Sequence, residues 1–114
     1  MRIVFLVFTS VIFFSSCATV PLQDSGKMVQ YLKQFPPNDS PSNYKELQTL
    51  SCSKGKNFRR PGENIISCQN ELRNKSADLG ADLFIVQHEQ IGTPGKHACP
   101  NCITIVGTAY KKKK

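Results

Sequence analysis

The residues best suited to chemistry are cysteines, and two of them form the motif CPNC (Cys99–Cys102), which begins two residues after His97. A C-x-x-C spacing serves a zinc site, a thiol–disulfide redox pair or the ends of structural disulfides. Cys52 and Cys68 supply two further thiols, and Cys17 supplies a fifth. The compartment of the protein and the elements that carry these residues decide between the three chemistries.

The N-terminus indicates the compartment. A basic residue precedes an apolar run of 12 residues, Ile3–Phe14, which leads through two serines into Cys17. The run is shorter than the about 20 residues that span a bilayer, so it indicates an export signal. Its end resembles the lipobox of bacterial lipoproteins, with phenylalanine where leucine is usual. We predict a lipoprotein signal peptide at residues 1–16 and acylation of Cys17, with ordinary cleavage after Ala18 as the alternative.

Export has consequences for the other sulfurs, because thiols are oxidised outside the cytoplasm. We expect the remaining four cysteines to form two disulfides and to hold neither zinc nor any cofactor. A redox C-x-x-C normally opens a helix, whose N-terminus lowers the thiol pKa, whereas this one opens a β-rich run. Four cysteines allow three pairings, which the spacing alone does not rank. These cysteines are Cys52, Cys68, Cys99 and Cys102.

Length and charge bound the mature protein. After residues 17–27, which we interpret as the lipidated cysteine and a short polar tether, we predict one domain over residues 28–111 and a basic tail at 112–114. A domain this small has a marginal core, and cross-links would stabilise it. The chain carries 15 Lys and Arg against 8 Asp and Glu, a formal net charge of +7. Such a balance favours anionic partners, and in the envelope we expect no nucleic acid.

The elements alternate in a way that predicts an α+β fold of order β-β-α-β-β. The helix has apolar residues at helical spacing, with Asn64 as its expected N-cap and Gly80 as its left-handed C-cap. Because the next strand must double back, the loop Ile91–Cys102 should lie at the start of the helix, together with all four cysteines. The predicted strands are residues 27–33, for which a short helix is the alternative, Tyr44–Cys52, Asp82–Gln90 and Ile103–Tyr110. The predicted helix is Asn64–Leu79, and the segment Phe35–Asn43 is turn-rich.

Several of these features together resemble the family of Rcs stress-sensing outer-membrane lipoproteins (the RcsF family) and a related group of short uncharacterised lipoproteins. They are a cysteine after the second strand (Cys52), a helix ending in LGAD, GTPG followed by Cys99, and VGTAY in the last strand. The resemblance implies a small mixed sheet packed on one helix and an outer-membrane location, with the domain in the periplasm or at the cell surface.

The resemblance also implies a disulfide pattern, because Cys52 and Cys99 match one of the two nonconsecutive bridges of that family. Cys68 and Cys102 do not match the other bridge, so a Cys68–Cys102 bond is a geometric inference from the expected convergence. Nonconsecutive bonds can form incorrectly during export. We therefore expect periplasmic disulfide oxidase and isomerase to act on this protein during folding.

The chemistry-bearing residues do not form a catalytic pattern. There is no defensible Ser-His-Asp order, no carboxylate pair at a pocket-forming spacing and no phosphate-binding glycine loop. His88 lies on a predicted strand and His97 in the cysteine loop, where we expect solvated imidazoles. We do not expect an enzyme.

Two functions follow from the sequence. The first is an outer-membrane lipoprotein that acts as a protein-binding or envelope-stress sensor module; about ten flexible tether residues reach roughly 17 Å, which keeps the domain beside its membrane. The alternative is a structural envelope component that binds anionic glycolipid or cell wall through its basic loop and tail, although such charge runs are usually only solvated. The candidate anion-binding residues of the loop are Lys54, Lys56, Arg59 and Arg60.

Overall fold

The computed structural model of the chain describes residues 20–93, 95 and 98–113. The predicted signal peptide, Cys17, His97 and Lys114 lie outside these residues. The elements appear in the predicted order, one helix with four strands, so the α+β fold class is confirmed. Their bounds are β1 Gln30–Leu32, β2 Tyr44–Lys54, α1 Pro61–Asp78, β3 Leu83–Thr93 and β4 Cys99–Lys112.

The four strands form one mixed sheet in the order β1-β3-β4-β2. β1 is parallel to β3, whereas β3 and β2 both run antiparallel to β4. Along the chain, α1 follows β2 and precedes β3, and it lies across one face of the sheet. β2 has only β4 as a neighbour in the strand order, so it is an edge strand along its whole length.

Alternation along the strands produces two apolar clusters, one on each face of the sheet. Phe84 and Ile105, both fully buried, point towards α1 and pack with Leu72. The neighbouring Ile85 belongs to the second cluster, which Phe35 from the turn-rich segment helps to cover. That segment contains a single 3-10 turn, Pro41–Asn43. The turn-rich connection therefore completes the second core instead of serving only as a linker.

The helix starts earlier than predicted. Its first residue is Pro61 and its N-cap is Arg60, because proline suits the first helical position, where no amide hydrogen is required. The predicted N-cap, Asn64, is instead a fully buried residue inside the first turns. At the C-terminal end of the helix the prediction of a left-handed glycine is confirmed. The C-cap is Leu79, and Gly80 follows it with a φ of +82°.

The connection between β3 and β4 is shorter than the predicted loop Ile91–Cys102. Thr93 pairs with Cys99, and the Thr93 hydroxyl accepts a hydrogen bond of 2.9 Å from the Cys99 amide. Cross-strand bonding thus extends the hairpin well beyond Gln90, the predicted end of the strand. Only residues 94–98 connect the two strands.

The predicted tether, residues 17–27, is wrong for its described part, because the chain from Val20 onwards lies against α1. The Val20 amide donates to the Ser67 hydroxyl at 3.2 Å, and Asn70 donates to the Val20 carbonyl at 2.9 Å. Further along, Asn74 donates to the Pro21 carbonyl and accepts from the Gln23 amide, both at 2.9 Å. The segment therefore runs parallel to the helix, from its N-terminal half towards its C-terminal half.

Candidate functional site at the disulfide pole

Both disulfides lie at one end of the domain, as the sequence predicts, but their pairing differs from the prediction. The structure has Cys52 bonded to Cys68 and Cys99 bonded to Cys102. The expected Cys52–Cys99 and Cys68–Cys102 bonds are therefore wrong. We call this end the disulfide pole: the two disulfides, the loop 55–60 and the first two turns of α1.

Sheet register and helix position explain the pairing. Cys52 lies opposite Ile105, not opposite Cys99, and its side chain points to the helix face, where Cys68 is fully buried. Cys99 and Cys102 come within 5.4 Å, Cα to Cα, because β4 has two more residues than β3 between the Ile91–Ile103 and Thr93–Cys99 pairs. Both bonds are consecutive along the chain. Nonconsecutive pairing, the reason for expecting an isomerase, is therefore not found among these four cysteines.

The disulfides also account for the chemistry of the C-x-x-C motif. A disulfide sulfur has no thiolate to ligate zinc or attack a substrate. Within the described residues, His, Cys, Asp and Glu do not cluster in threes as a metal site would require. In this bonded state the Cys52–Cys68 bridge cross-links β2 to α1 and the Cys99–Cys102 bridge closes the C-x-x-C turn, so both bridges brace the surrounding loops.

Three asparagines fix the loop of the disulfide pole, and the sequence interpretation missed this role. The Asn64 side chain donates to the Asn101 carbonyl at 2.7 Å and exchanges hydrogen bonds with the Asn57 side chain at 3.1 and 3.2 Å. The Asn101 side chain donates to the carbonyls of Asn57 and Arg59, each at 2.8 Å. A residue inside the C-x-x-C motif thus holds the backbone on both sides of Phe58.

Phe58 is held at the tip of this loop with its side chain in solvent. Its relative exposure is 110 %, the highest of the large apolar residues in the described chain. The loop begins at Gly55, where φ is +148° and a β-carbon would collide with Cys102. Since contacts at both ends determine the backbone, the exposure of this aromatic ring is a property of the fold. The sequence signal for it is an aromatic residue inside a basic loop.

The four basic residues predicted to bind anions divide into two kinds. Lys54 pairs with Glu71 at 3.1 Å, and Arg59 pairs with Glu63 at 3.7 Å. Lys56 and Arg60 are exposed and have no acidic partner in the part of the chain that the structure describes. The unneutralised charge of the loop therefore lies on Lys56 and Arg60, on either side of Phe58.

The Lys54–Glu71 pair changes the ionisation of the carboxyl. Partial burial by itself would raise the pKa of Glu71, but the hydrogen bond and charge of Lys54, together with Lys75, lower that pKa below 4.5. Glu71 therefore remains ionised at neutral pH and holds Lys54 against the helix. This pair connects the end of β2 to α1 beside the Cys52–Cys68 bond.

The basic tail lies at the opposite end of the domain. At about 3.3 Å per residue, roughly 30 Å of β4 separates Cys102 from Lys112. The Lys111 ammonium donates to the Gly80 carbonyl at 3.3 Å, and the Lys112 ammonium is 3.9 Å from Asp39. Loop and tail therefore do not form one continuous basic surface. We call the end of β4 with Gly80 and Asp39 the tail pole.

Other titratable residues lie away from the disulfide pole. His88 is exposed on β3, as predicted. Burial, followed by the charge of Glu89, raises the pKa of Tyr31 to about 12. The Tyr31 hydroxyl and one Glu89 oxygen are buried without a hydrogen-bond partner among the described residues. A phenol with so high a pKa remains protonated and does not supply a nucleophile at neutral pH.

Comparison with family models, curated proteins and solved structures finds no match for this chain. In the described residues, no helix is long and apolar enough to cross a membrane. The function must therefore be argued from the residues and their geometry.

Proposed function

We propose that this protein is an outer-membrane lipoprotein, anchored through Cys17, that acts by binding other proteins of the cell envelope and catalyses no reaction. The observation that carries the proposal is the outer edge of β2, an 11-residue edge strand. The free backbone groups of such a strand can bond to an extended segment of another chain. The two disulfides hold this edge on a braced domain.

The two halves of β2 differ in how well they resist such pairing. In the first half, Lys45 and Glu46 are exposed charges and the register shifts between Glu46 and Gln48. Charges and bulges at an edge oppose the addition of a further strand. The second half, from Gln48 to Ser53, is uncharged and keeps a regular register with β4. We assign the contact with a partner to this half.

The position of the domain relative to its anchor limits the partners. Val20 is hydrogen-bonded to α1, and the two residues between it and Cys17 give three Cα–Cα steps, which span at most about 10 Å. A domain held so closely meets proteins of its own membrane layer. A stress-sensing role, which the resemblance to the Rcs lipoproteins implies, would require a partner that itself reaches the inner membrane.

The anchor is tested first. Cells that express the protein should incorporate labelled palmitate into it, and the protein should sediment with outer membranes. Cys17→Ser should abolish the label. A soluble, unlabelled protein that begins at Thr19 would show that ordinary signal cleavage takes place, and the lipoprotein assignment would be wrong.

The partner surface is tested in intact cells with a photo-crosslinking amino acid at Gln48, which is exposed on β2. We expect a discrete crosslinked protein, and Ser51→Lys should abolish it, because a charge on the edge blocks strand addition. Ser25→Lys is the matched control, since Ser25 is exposed and its side chain makes no capping bond. Crosslinking that survives Ser51→Lys would exclude the β2 edge as the contact.

A further inference from the structure

The disulfide pole combines an exposed aromatic ring with cations that the fold leaves without partners. Phe58 is fully exposed on a loop whose backbone the Asn101 side chain holds on both sides. Lys56 and Arg60 are the exposed cations on either side of it. From residue 54 to residue 68 the chain carries four basic residues and one acidic residue. A ring flanked by cations suits the boundary between lipid headgroups and acyl chains, where aromatic side chains are stable.

The path of the chain brings this pole towards the anchor. Between Val20 and Gln23 the segment runs along α1 from Ser67 to Asn74, so Val20, the described residue nearest to Cys17, lies against the N-terminal half of the helix. That half adjoins the loop that carries Phe58. Ile66, 52 % exposed, lies one turn before Asn70, which binds the Val20 carbonyl. An acyl chain on Cys17, within about 10 Å of Val20, would therefore enter the bilayer beside this pole.

We propose that the disulfide pole docks on the membrane that holds the anchor, with the Phe58 ring inserted among the lipids and Lys56 and Arg60 on anionic headgroups. The occupant is the lipid surface itself. A cleft of about 360 Å³ beside the loop, lined by Lys54, Lys56 and Cys102, gives a headgroup room next to the two lysines. The proposal rests on the lipidation of Cys17 and deepens the proposed function by specifying the orientation of the domain.

The tail pole does not have the features that docking requires. Lys111 donates to the Gly80 carbonyl and Lys112 pairs with Asp39, and Val20, the first described residue, lies against the N-terminal half of α1, away from this pole. With the disulfide pole on the membrane, the tail pole points away from the lipid. The β2 edge then stands upright between the two, with its length open to neighbouring proteins.

The chain contains no tryptophan, so a single substitution provides a specific optical probe. The lipidated Phe58→Trp protein is reconstituted in vesicles of phosphatidylcholine with phosphatidylglycerol, with and without brominated acyl chains. We expect a blue-shifted emission and strong quenching by the bromine. Met28→Trp is the matched control, because Met28 is 80 % exposed and lies near Asp39 and Lys112 at the tail pole. Its emission should remain that of tryptophan in water.

The headgroup contacts are tested by removing two charges at either pole of the Phe58→Trp protein. Each cation near an anionic surface changes partitioning about five-fold, so Lys56→Gln with Arg60→Gln should weaken docking about 25-fold. Lys112→Gln with Lys113→Gln removes the same charge at the tail pole and should leave the emission unchanged. Equal loss from both pairs would show an effect of net charge alone and would overturn the proposal.

The mass of the purified Phe58→Trp protein shows whether it carries lipid. The remaining outcomes therefore distinguish a failure of docking from a failure of the anchor. A lipidated protein whose indole stays in water overturns docking and leaves the anchor intact. A protein without lipid whose indole still enters added vesicles supports docking and overturns the anchor. An indole emission that shifts only when an envelope protein is added would assign the loop to a protein partner and overturn the lipid surface.

Discussion

The disulfide pole and the tail pole each carry a run of basic residues, but the fold uses the two runs differently. At the tail pole, Lys111 donates to the carbonyl of Gly80 at the end of α1, and the Lys112 amide donates to Asp82 at 2.7 Å. At the disulfide pole, Lys56 and Arg60 are held in solvent on a braced loop. Lys111 and Lys112 thus have partners within the domain, whereas Lys56 and Arg60 have no acidic partner among the described residues.

The difference shows that the number of charges in a segment does not predict a binding surface. Carbonyls at the C-terminus of a helix lack partners within the helix and favour a nearby cation. The tail strand passes this end of α1, so its lysines meet local acceptors. The loop precedes the helix and meets amide side chains, which fix its backbone, and Lys56 and Arg60 have no acidic partner among the described residues.

The largest expected effect concerns the braces of the disulfide pole. Replacing Cys52 and Cys68 together with alanine should lower the free energy of unfolding by about 3 kcal/mol, because this bond closes the longer loop in the unfolded chain. Replacing Cys99 and Cys102 together should cost about 2 kcal/mol, since their loop is only a few residues long. Urea unfolding of the oxidised proteins measures both changes.

Peptide mapping without reductant is the control for this comparison. It should recover Cys52 with Cys68 and Cys99 with Cys102, as the structure pairs them. Removal of the periplasmic disulfide isomerase should leave the yield unchanged, because the bonds are consecutive. A Cys52–Cys99 peptide would contradict the structure and restore the pairing that the resemblance implies.

The second effect distinguishes the two ends of α1 through their buried asparagines. Asn64→Ala should cost about 2 kcal/mol, because it leaves the Asn101 carbonyl and the Asn57 side chain with fewer partners. It should also release Phe58 and make the Phe58→Trp probe more mobile, as fluorescence anisotropy can measure. Asn74→Ala is the matched control: it should destabilise the protein comparably and leave that anisotropy unchanged. Equal anisotropy in both variants would show that Asn64 does not hold the loop.

The third effect compares one glycine at each pole. Gly55→Ala should cost about 2 kcal/mol or more, because the residue has a φ of +148° and its β-carbon would collide with Cys102. Gly80→Ala should cost about 1 kcal/mol, since φ is +82° but only the Lys111 ammonium is near, at 4.0 Å. Thermal unfolding of the two variants measures the difference. The reverse order would mean that the loop is not tightly packed on the disulfide.

The smallest effect is the response of each pole to pH. The pKa of Glu71 is lowered from 4.5, so its contribution to stability is present above about pH 4.5 and is lost as the pH falls through the folded pKa. The pKa of Tyr44 at the tail pole is raised from 10.0 by its hydrogen bond to Asp39, so its contribution is present below about pH 10 and is lost as the pH rises through the folded pKa.

Urea midpoints measured across pH separate these two groups. Glu71→Gln should flatten the acid side of the curve of urea midpoint against pH. Tyr44→Phe should flatten part of the alkaline side, where Tyr31 also contributes because its pKa is about 12. If Glu71→Gln leaves the acid side unchanged, the Lys54–Glu71 pair does not stabilise the disulfide pole. Both sides should be compared at one salt concentration, because salt screens exposed pairs.

The sequence by itself determined the class and order of the elements. The spacing of apolar residues distinguishes a strand from a helix within a short segment. Gly80 ends the helix because its own backbone adopts a positive φ. The expectation of disulfides also needed no tertiary structure, because it followed from the predicted export signal and from the four cysteines after Cys17. The predictions of the elements depended on residues close together in the chain.

The tertiary structure alone decided which cysteines bond, which part of the predicted tether packs on α1, and which described cations have no acidic partner. Cys52 bonds to Cys68 because the helix lies over that position of β2, and register places Ile105 opposite Cys52. Val20 lies against α1 because it bonds to Ser67 and Asn70, which are 47 and 50 positions away in the chain. These contacts join segments far apart in the chain, and local patterns in one sequence carry no record of the packing that brings such segments together.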